Sequence, residues 1–213
     1  MHAFDLSVYL ILGPQDCAGQ DPVSIVEAAV NSGTTLVQLR DKSGATRDQV
    51  ALARRLRDIL VPKGIPLIIN DRIDVAMAAD AEGVHVGQND MCAADARRLI
   101  GPDKILGVSV STQSHLDAID AEITQYIGVG ACYPTGSKDD ADNLGMHGFA
   151  SLTKQSTLPV VGIGGINHSN AHEVIECGAD GVAVISAICG AVDAGSASAD
   201  LAKLVKSAKQ RYA

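Results

Sequence analysis

Tryptophan is missing from this chain, and its 213 residues include only 2 phenylalanines and 4 tyrosines. A core with so few large rings must come from Val, Ile, Leu and Ala, the composition of parallel strands buried on both faces. Long apolar runs are missing as well, and none approaches the ~20 residues a membrane helix needs. The opening MHAFDLSVYLIL has an acid ahead of its apolar run and no basic segment, which argues against a secretory leader and for a cytoplasmic protein. Positive charge is scarce: 17 Lys and Arg against 25 Asp and Glu leave a net charge of −8. That balance argues against a nucleic-acid groove, since phosphate backbones select basic surfaces. The five cysteines, Cys17, Cys92, Cys132, Cys177 and Cys189, are odd in number and lack CxxC spacing. They read as buried or incidental thiols rather than a zinc site or a disulfide framework.

What the chain does have is repetition. Eight short apolar runs recur: SVYLIL, TLVQLR, PLIIN, GVHVG, ILGVSV, QYIGVG, PVVGIGG and GVAVIS. Between them lie stretches with helical spacing. Asp21 and Pro22 open one as N-cap and N1, running to about residue 31 before Gly33. Thr46 caps the next, with Val50, Ala53, Leu56 and Leu60 as its stripe, and Pro62 and Gly64 stop it. Shorter helices are expected over 72–79, 93–100, from about 113 and over 169–176, with a closing helix over 198–209. AVDAGSASAD reads as a small-residue loop, and 131–146 as a longer one. Strand–helix alternation repeated eight times predicts an α/β fold, a closed (β/α)8 TIM barrel, with residues 1–213 as a single domain.

Barrels of this kind bring ligands to the carboxyl ends of their strands, so those ends are where chemistry is sought. Gln38, Arg40 and Lys42 alternate at the end of the second run and point to one side. Arg40 offers a planar fork for phosphate, Lys42 a mobile point charge, and the deeper Gln38 an amide for a neutral ring. Asn70 and Asp71 end the third run, and Asp90 follows the fourth. Each aspartate is open to two readings, as a helix cap or as one of two carboxylates sharing a hard cation with substrate phosphate. Thr135, Gly136, Ser137 and Lys138 follow the sixth run and read either as a turn or as an anion cradle, without Walker spacing. Gly165 after the seventh run and Ser186 after the eighth occupy the usual phosphate-binding loops of such barrels. His168 and His172 stand four apart without an HExxH context and read as helix-start residues, and His85 as a satisfied interior histidine.

Taken together, VQLRDK, LIINDRIDVAMAADAEGVHVGQNDM, ILGVSVST, YIGVGACYPTGSKDDA and PVVGIGGI followed by GADGVAVISAI resemble the thiamine-phosphate synthase family over essentially the whole chain. The resemblance implies condensation of a hydroxymethylpyrimidine diphosphate with a hydroxyethylthiazole phosphate, releasing pyrophosphate by a dissociative, Mg2+-assisted route. It assigns Gln38, Leu39, Arg40, Asp41, Lys42, Asn70, Ser109 and Lys138 to the pyrimidine diphosphate. Arg40, Lys42, Ser109 and Lys138 would carry the catalytic roles. Asp71 and Asp90 would take Mg2+, and Thr135, Gly136, Ser137, Gly165, Ile185 and Ser186 the thiazole phosphate. The partners implied are these two small molecules, with no nucleic acid and no membrane, and a homo-oligomer is left open. Related sequences usually carry proline and threonine where this chain has Gly136 and Ser137, and DAEITQY lacks the glycine turn common before the sixth strand. Two alternatives stand beside this reading: a thiazole tautomerase on a similar barrel, and a sensor that binds phosphorylated rings without turnover.

Overall fold

The computed structural model describes residues 4–134 and 144–212. Eight parallel strands close into one barrel in sequence order. They are β1 (Val8–Leu12), β2 (Leu36–Leu39), β3 (Leu67–Asn70), β4 (Gly83–Val86), β5 (Ile105–Val110), β6 (Tyr126–Gly130), β7 (Val160–Ile163) and β8 (Gly181–Val184). The ring shuts where Val8 pairs with Val182 and Leu10 with Val184. Outside it lie α1 (Pro22–Val30), α2 (Thr46–Leu60), α3 (Ile73–Ala79), α4 (Ala93–Ile100), α5 (Gln113–Asp117), α6 (Gly145–Gln155), α7 (Ala171–Glu176), α8 (Ser186–Cys189) and α9 (Ala194–Tyr212). Among the described residues no helix is long and apolar enough to cross a membrane.

Two apolar layers follow from the period-two alternation of strand side chains. Val8, Leu10, Leu12, Val37, Leu39 and their counterparts face outward under the helices. Tyr9, Ile11, Leu36, Ile68, Ile105, Tyr126, Val161 and Ala183 face inward. Three of the scarce aromatics meet there: Tyr9 and Tyr126 pack edge to face at 5.9 Å, and Phe4 tilts against Tyr126 at 5.8 Å. Gly107 makes this possible, because a β-carbon there would run into the Tyr126 ring.

At the amino-terminal floor, a side chain just before each even strand accepts the N–H of a residue in the preceding odd strand. Thr35 takes Val8 at 3.0 Å, Glu82 takes Leu67 at 2.9 Å, Gln125 takes Leu106 at 2.8 Å and Asp180 takes Val160 at 2.8 Å. Backbone donors at strand entrances are thereby paired inside the protein.

Some helix ends differ from those expected. Ala45, not Thr46, is the N-cap of α2, and the Thr46 hydroxyl accepts instead from Arg72. The stretch predicted as the small-residue loop AVDAGSASAD is helical from Ala194, because Ser198 is buried and bonded to Thr34 and to the Ala29 carbonyl. Packing against α1 and α7 outweighs the weak helix propensity of serine and glycine.

Candidate active site

The carboxyl ends of the strands surround a cleft of about 450 Å3. β2 delivers its polar residues as alternation demands: Gln38 is buried beside the barrel axis, and Arg40 and Lys42 rise to the cleft wall. The Arg40 backbone is tied on both sides, its N–H donating to the Leu12 carbonyl and its carbonyl accepting from Gln15 Nε2 at 2.8 Å. Among the described residues neither Arg40 nor Lys42 forms a salt bridge. Two cations at the mouth of an acidic protein are thus left available to an anionic ligand.

Opposite them stand the aspartates. Asp71 adopts the left-handed region at φ 61, a conformation Asp tolerates better than most residues, and its N–H donates to the His85 carbonyl at 2.9 Å. This bend turns its carboxylate into the cleft. The next residue turns the other way: Arg72 reaches Asp74, Thr46 and Gln49 and fastens α3 to α2. Asp90 closes a tight turn by accepting the Gly87 N–H at 2.8 Å. Neither aspartate is a helix N-cap, since Arg72 precedes α3 and Cys92 precedes α4. The capping alternative for these residues is therefore set aside. Burial raises the Asp71 pKa from 3.8 to about 6, with the neighbouring Asp90 adding to the rise and Lys42 and Arg40 opposing it. Two carboxylates this close favour either a shared proton or a cation. Among the described residues no group of three or more His, Cys, Asp or Glu could hold a metal. The pair therefore offers too few ligands for a closed metal cage, but suits a hard cation that keeps waters or phosphate oxygens.

The far wall is built by β6, β7 and β8. Gly165, Ile185 and Ser186 line the cleft there, with Gly130, Ala131 and Ile163. Gly165 sits at φ 65, and a β-carbon would lie 2.6 Å from the Pro134 carbonyl oxygen. Only glycine lets these two loops approach each other so closely.

Beneath the cleft runs a chain of polar side chains across the barrel axis. Gln38 Nε2 donates to Tyr9 Oη at 2.6 Å, and Tyr9 Oη meets Tyr126 Oη at 2.8 Å. Tyr126 Oη lies 3.0 Å from His85 Nδ1, and His85 Nε2 lies 2.9 Å from Ser109 Oγ. Burial raises the pKa of both tyrosines, so they stay protonated.

Of the residues expected at the site, Gln38, Arg40, Lys42, Asn70, Asp71, Asp90, Ser109, Gly165, Ile185 and Ser186 come together at this one mouth. Two side chains do not join them. Leu39 faces outward under the helices, and Asp41 folds back to accept the Ser43 and Gly44 N–H groups. Thr135, Gly136, Ser137 and Lys138 lie outside the described residues. His168 bonds to the Ala197 carbonyl at 2.8 Å. Sequence reasoning passed over Gln15, Ser43 and Ser111, which also line the cleft. Gln15 could have been found, because it follows the first strand as Lys42 follows the second.

A family model described as thiamine monophosphate synthase matches residues 8–188. A thiamine-phosphate synthase of Azorhizobium caulinodans is 45% identical, the match covering 98% of this chain and 99% of that one. One of Xanthobacter autotrophicus is 47% identical over 97% and 98% of the two chains. A solved thiamine phosphate pyrophosphorylase from Pyrococcus furiosus superposes with a TM-score of 0.87 at 35% identity, covering 95% of this chain and 96% of that one. With its closed barrel and the cations and acids gathered at one rim, the chain belongs to the thiamine monophosphate synthase family of transferases.

Proposed function

We propose that this cleft joins 4-amino-2-methyl-5-(diphosphooxymethyl)pyrimidine to 4-methyl-5-(2-phosphooxyethyl)thiazole, giving thiamine phosphate and pyrophosphate. The observation that carries the reading is the meeting of Arg40 and Lys42 with the Asp71–Asp90 pair around one cleft. In the reaction the bond between the pyrimidine methylene carbon and the diphosphate oxygen breaks, and its electron pair leaves with pyrophosphate. The thiazole nitrogen then donates its lone pair to that carbon. No proton need move, so the absence of an assigned general base is no obstacle.

Arg40 and Lys42 face the charge that grows on the departing diphosphate, and their fixed positions make that stabilisation strongest as the bond breaks. Lys138 is assigned to the same task. Gln38, Asn70 and Ser109 orient the pyrimidine, while Gly165, Ile185 and Ser186, with Thr135, Gly136 and Ser137, hold the thiazole phosphate. Asp71 and Asp90 would hold Mg2+, and the raised pKa of Asp71, from burial and then from the neighbouring Asp90, marks a place that favours positive charge. Bound there, the ion would neutralise leaving-group charge. We assign the enzyme to the cytoplasm, a reducing compartment that suits five free thiols.

Purified protein is incubated with both phosphorylated heterocycles, with and without Mg2+, and joined product and pyrophosphate are measured. Stoichiometric formation of both, dependent on Mg2+, is expected. Binding of both rings without turnover would make the protein a sensor, and isomerisation of the thiazole alone would make it a tautomerase.

A further inference from the structure

The hydrogen-bond chain under the cleft has only one arrangement of protons that leaves each tyrosine hydrogen paired. Gln38 Nε2 donates to Tyr9 Oη, so the single Tyr9 hydroxyl hydrogen is free to pass onward to Tyr126 Oη. The opposite order would leave the Tyr9 hydrogen with no acceptor among the described residues, in apolar surroundings where an unmade hydrogen bond is costly. Tyr126 then gives its own hydrogen to His85 Nδ1, which accepts only when it carries none. A neutral imidazole holding no proton on Nδ1 holds it on Nε2, the nitrogen 2.9 Å from Ser109 Oγ. Ser109 therefore accepts from below, and its own hydroxyl hydrogen is left for the cleft above.

We infer that Gln38, Tyr9, Tyr126 and His85 form a proton-ordered chain that holds His85 as the neutral Nε2–H tautomer and makes Ser109 a hydrogen-bond donor to the substrate. Tyr126 and His85 are positioning residues, acting through Ser109. The geometry holds these groups in place. Gln38 and Tyr9 stand on the paired strands β2 and β1, and His85, Ser109 and Tyr126 on the consecutive strands β4, β5 and β6, so the Tyr9–Tyr126 bond spans the barrel between two groups held at fixed register. Gly128, paired with Ser109, would bring a β-carbon within 3.2 Å of His85 Cε1, so a larger residue there would press on the imidazole. A void beneath the cleft is lined by Gln38, His85, Ser109 and Gly128, so both ends of the chain reach the same ligand space. The consequence for catalysis rests on the function proposed above: the substrate must offer Ser109 an acceptor, either a ring nitrogen or a diphosphate oxygen. The proton order itself does not rest on that function.

The test reads the tautomer directly, by 15N NMR of histidine-labelled, ligand-free protein at neutral pH. Wild type is expected to show His85 protonated on Nε2 alone. Tyr126→Phe removes the hydrogen directed at Nδ1, and a mixture of tautomers is expected. Tyr9→Phe leaves that donor in place, so the wild-type tautomer is expected to persist although an equally buried hydroxyl has been lost. Joining activity should follow the same split, with kcat/KM falling roughly tenfold in Tyr126→Phe and by less in Tyr9→Phe. A merely structural role for the tyrosines would lower stability in both variants without separating them in tautomer. A wild-type His85 protonated on Nδ1, or an unchanged tautomer in Tyr126→Phe, overturns the proposal. Because the spectrum is taken without substrate, a protein that shows this tautomer but joins no heterocycles would refute the proposed function and leave the proton order standing.

Discussion

Asp71 is held where its carboxylate is least comfortable, and the discomfort can be measured. Its pKa is raised to about 6, so between about pH 4 and 6 the folded protein binds a proton that the unfolded chain releases. Stability from this group is full at low pH and is lost as pH rises through 6. Asp71→Asn removes that penalty and keeps a side chain that accepts the left-handed backbone. In metal-free protein at about pH 8 the variant should gain about 1 kcal/mol after discounting for solvent at this half-exposed site, or roughly 2–4 °C in Tm. The gain should vanish near pH 4, a difference that calorimetry across the pH range would show. Turnover should fall at least ~100-fold in the same variant. A stable but inactive protein is thus the expected signature of a residue kept for chemistry.

Gly165 makes the opposite case, a residue kept for shape. Gly165→Ala must carry a β-carbon at φ 65 and 2.6 Å from the Pro134 carbonyl, so the two loops must part. A loss of about 1–3 kcal/mol in urea unfolding is expected. KM for the thiazole phosphate should rise more than kcat falls, because the loop binds and does not react. Steady-state kinetics with each substrate varied in turn would separate the two.

At the scale of elements, the floor and the rim of the barrel do different work. Glu82 lies at the floor, accepting the Leu67 N–H and pairing with Arg57 at 3.0 Å. Glu82→Ala orphans that strand N–H and should cost about 2 kcal/mol, while Glu82→Gln keeps an acceptor and should recover about half. Neither should change kcat per folded molecule, a comparison of active fraction with thermal unfolding that tests the division directly. Strands and their order were legible in the sequence because buried parallel strands write continuous Val, Ile and Leu runs. The candidate site was legible where chemistry sat at a strand end, as with Arg40, Asn70, Asp71 and Ser109. Leu39 and Asp41 were drawn in because a motif is read as a block, whereas alternation sends its odd members outward. The Tyr9–Tyr126 contact was beyond reach, since it joins residues 117 positions apart through a register that no local pattern states.

For the whole molecule, closure makes stability collective. The last helix, α9, covers α1 and α7 with buried Ser198, Leu201, Val205 and Ala208. Each large apolar side chain among them contributes roughly 1.5–3 kcal/mol of burial, out of a total stability of about 5–15 kcal/mol. A chain ending at residue 193 should therefore lose its cooperative unfolding transition, which circular dichroism against urea would reveal. The early residues of this helix are small because α1 passes close by, and small residues carry little signal of helix in a sequence.

The pairing of two tyrosines at the barrel's heart has a practical outcome. With no tryptophan present, emission excited at ~280 nm comes from the four tyrosines, and two of them share a hydrogen bond just below the ligand space. Filling that space should alter the surroundings of Tyr9, which lines the void below it, and a titration of tyrosine emission with each phosphorylated heterocycle would show it. The protein carries its own optical reporter of occupancy, with no dye and no engineered label.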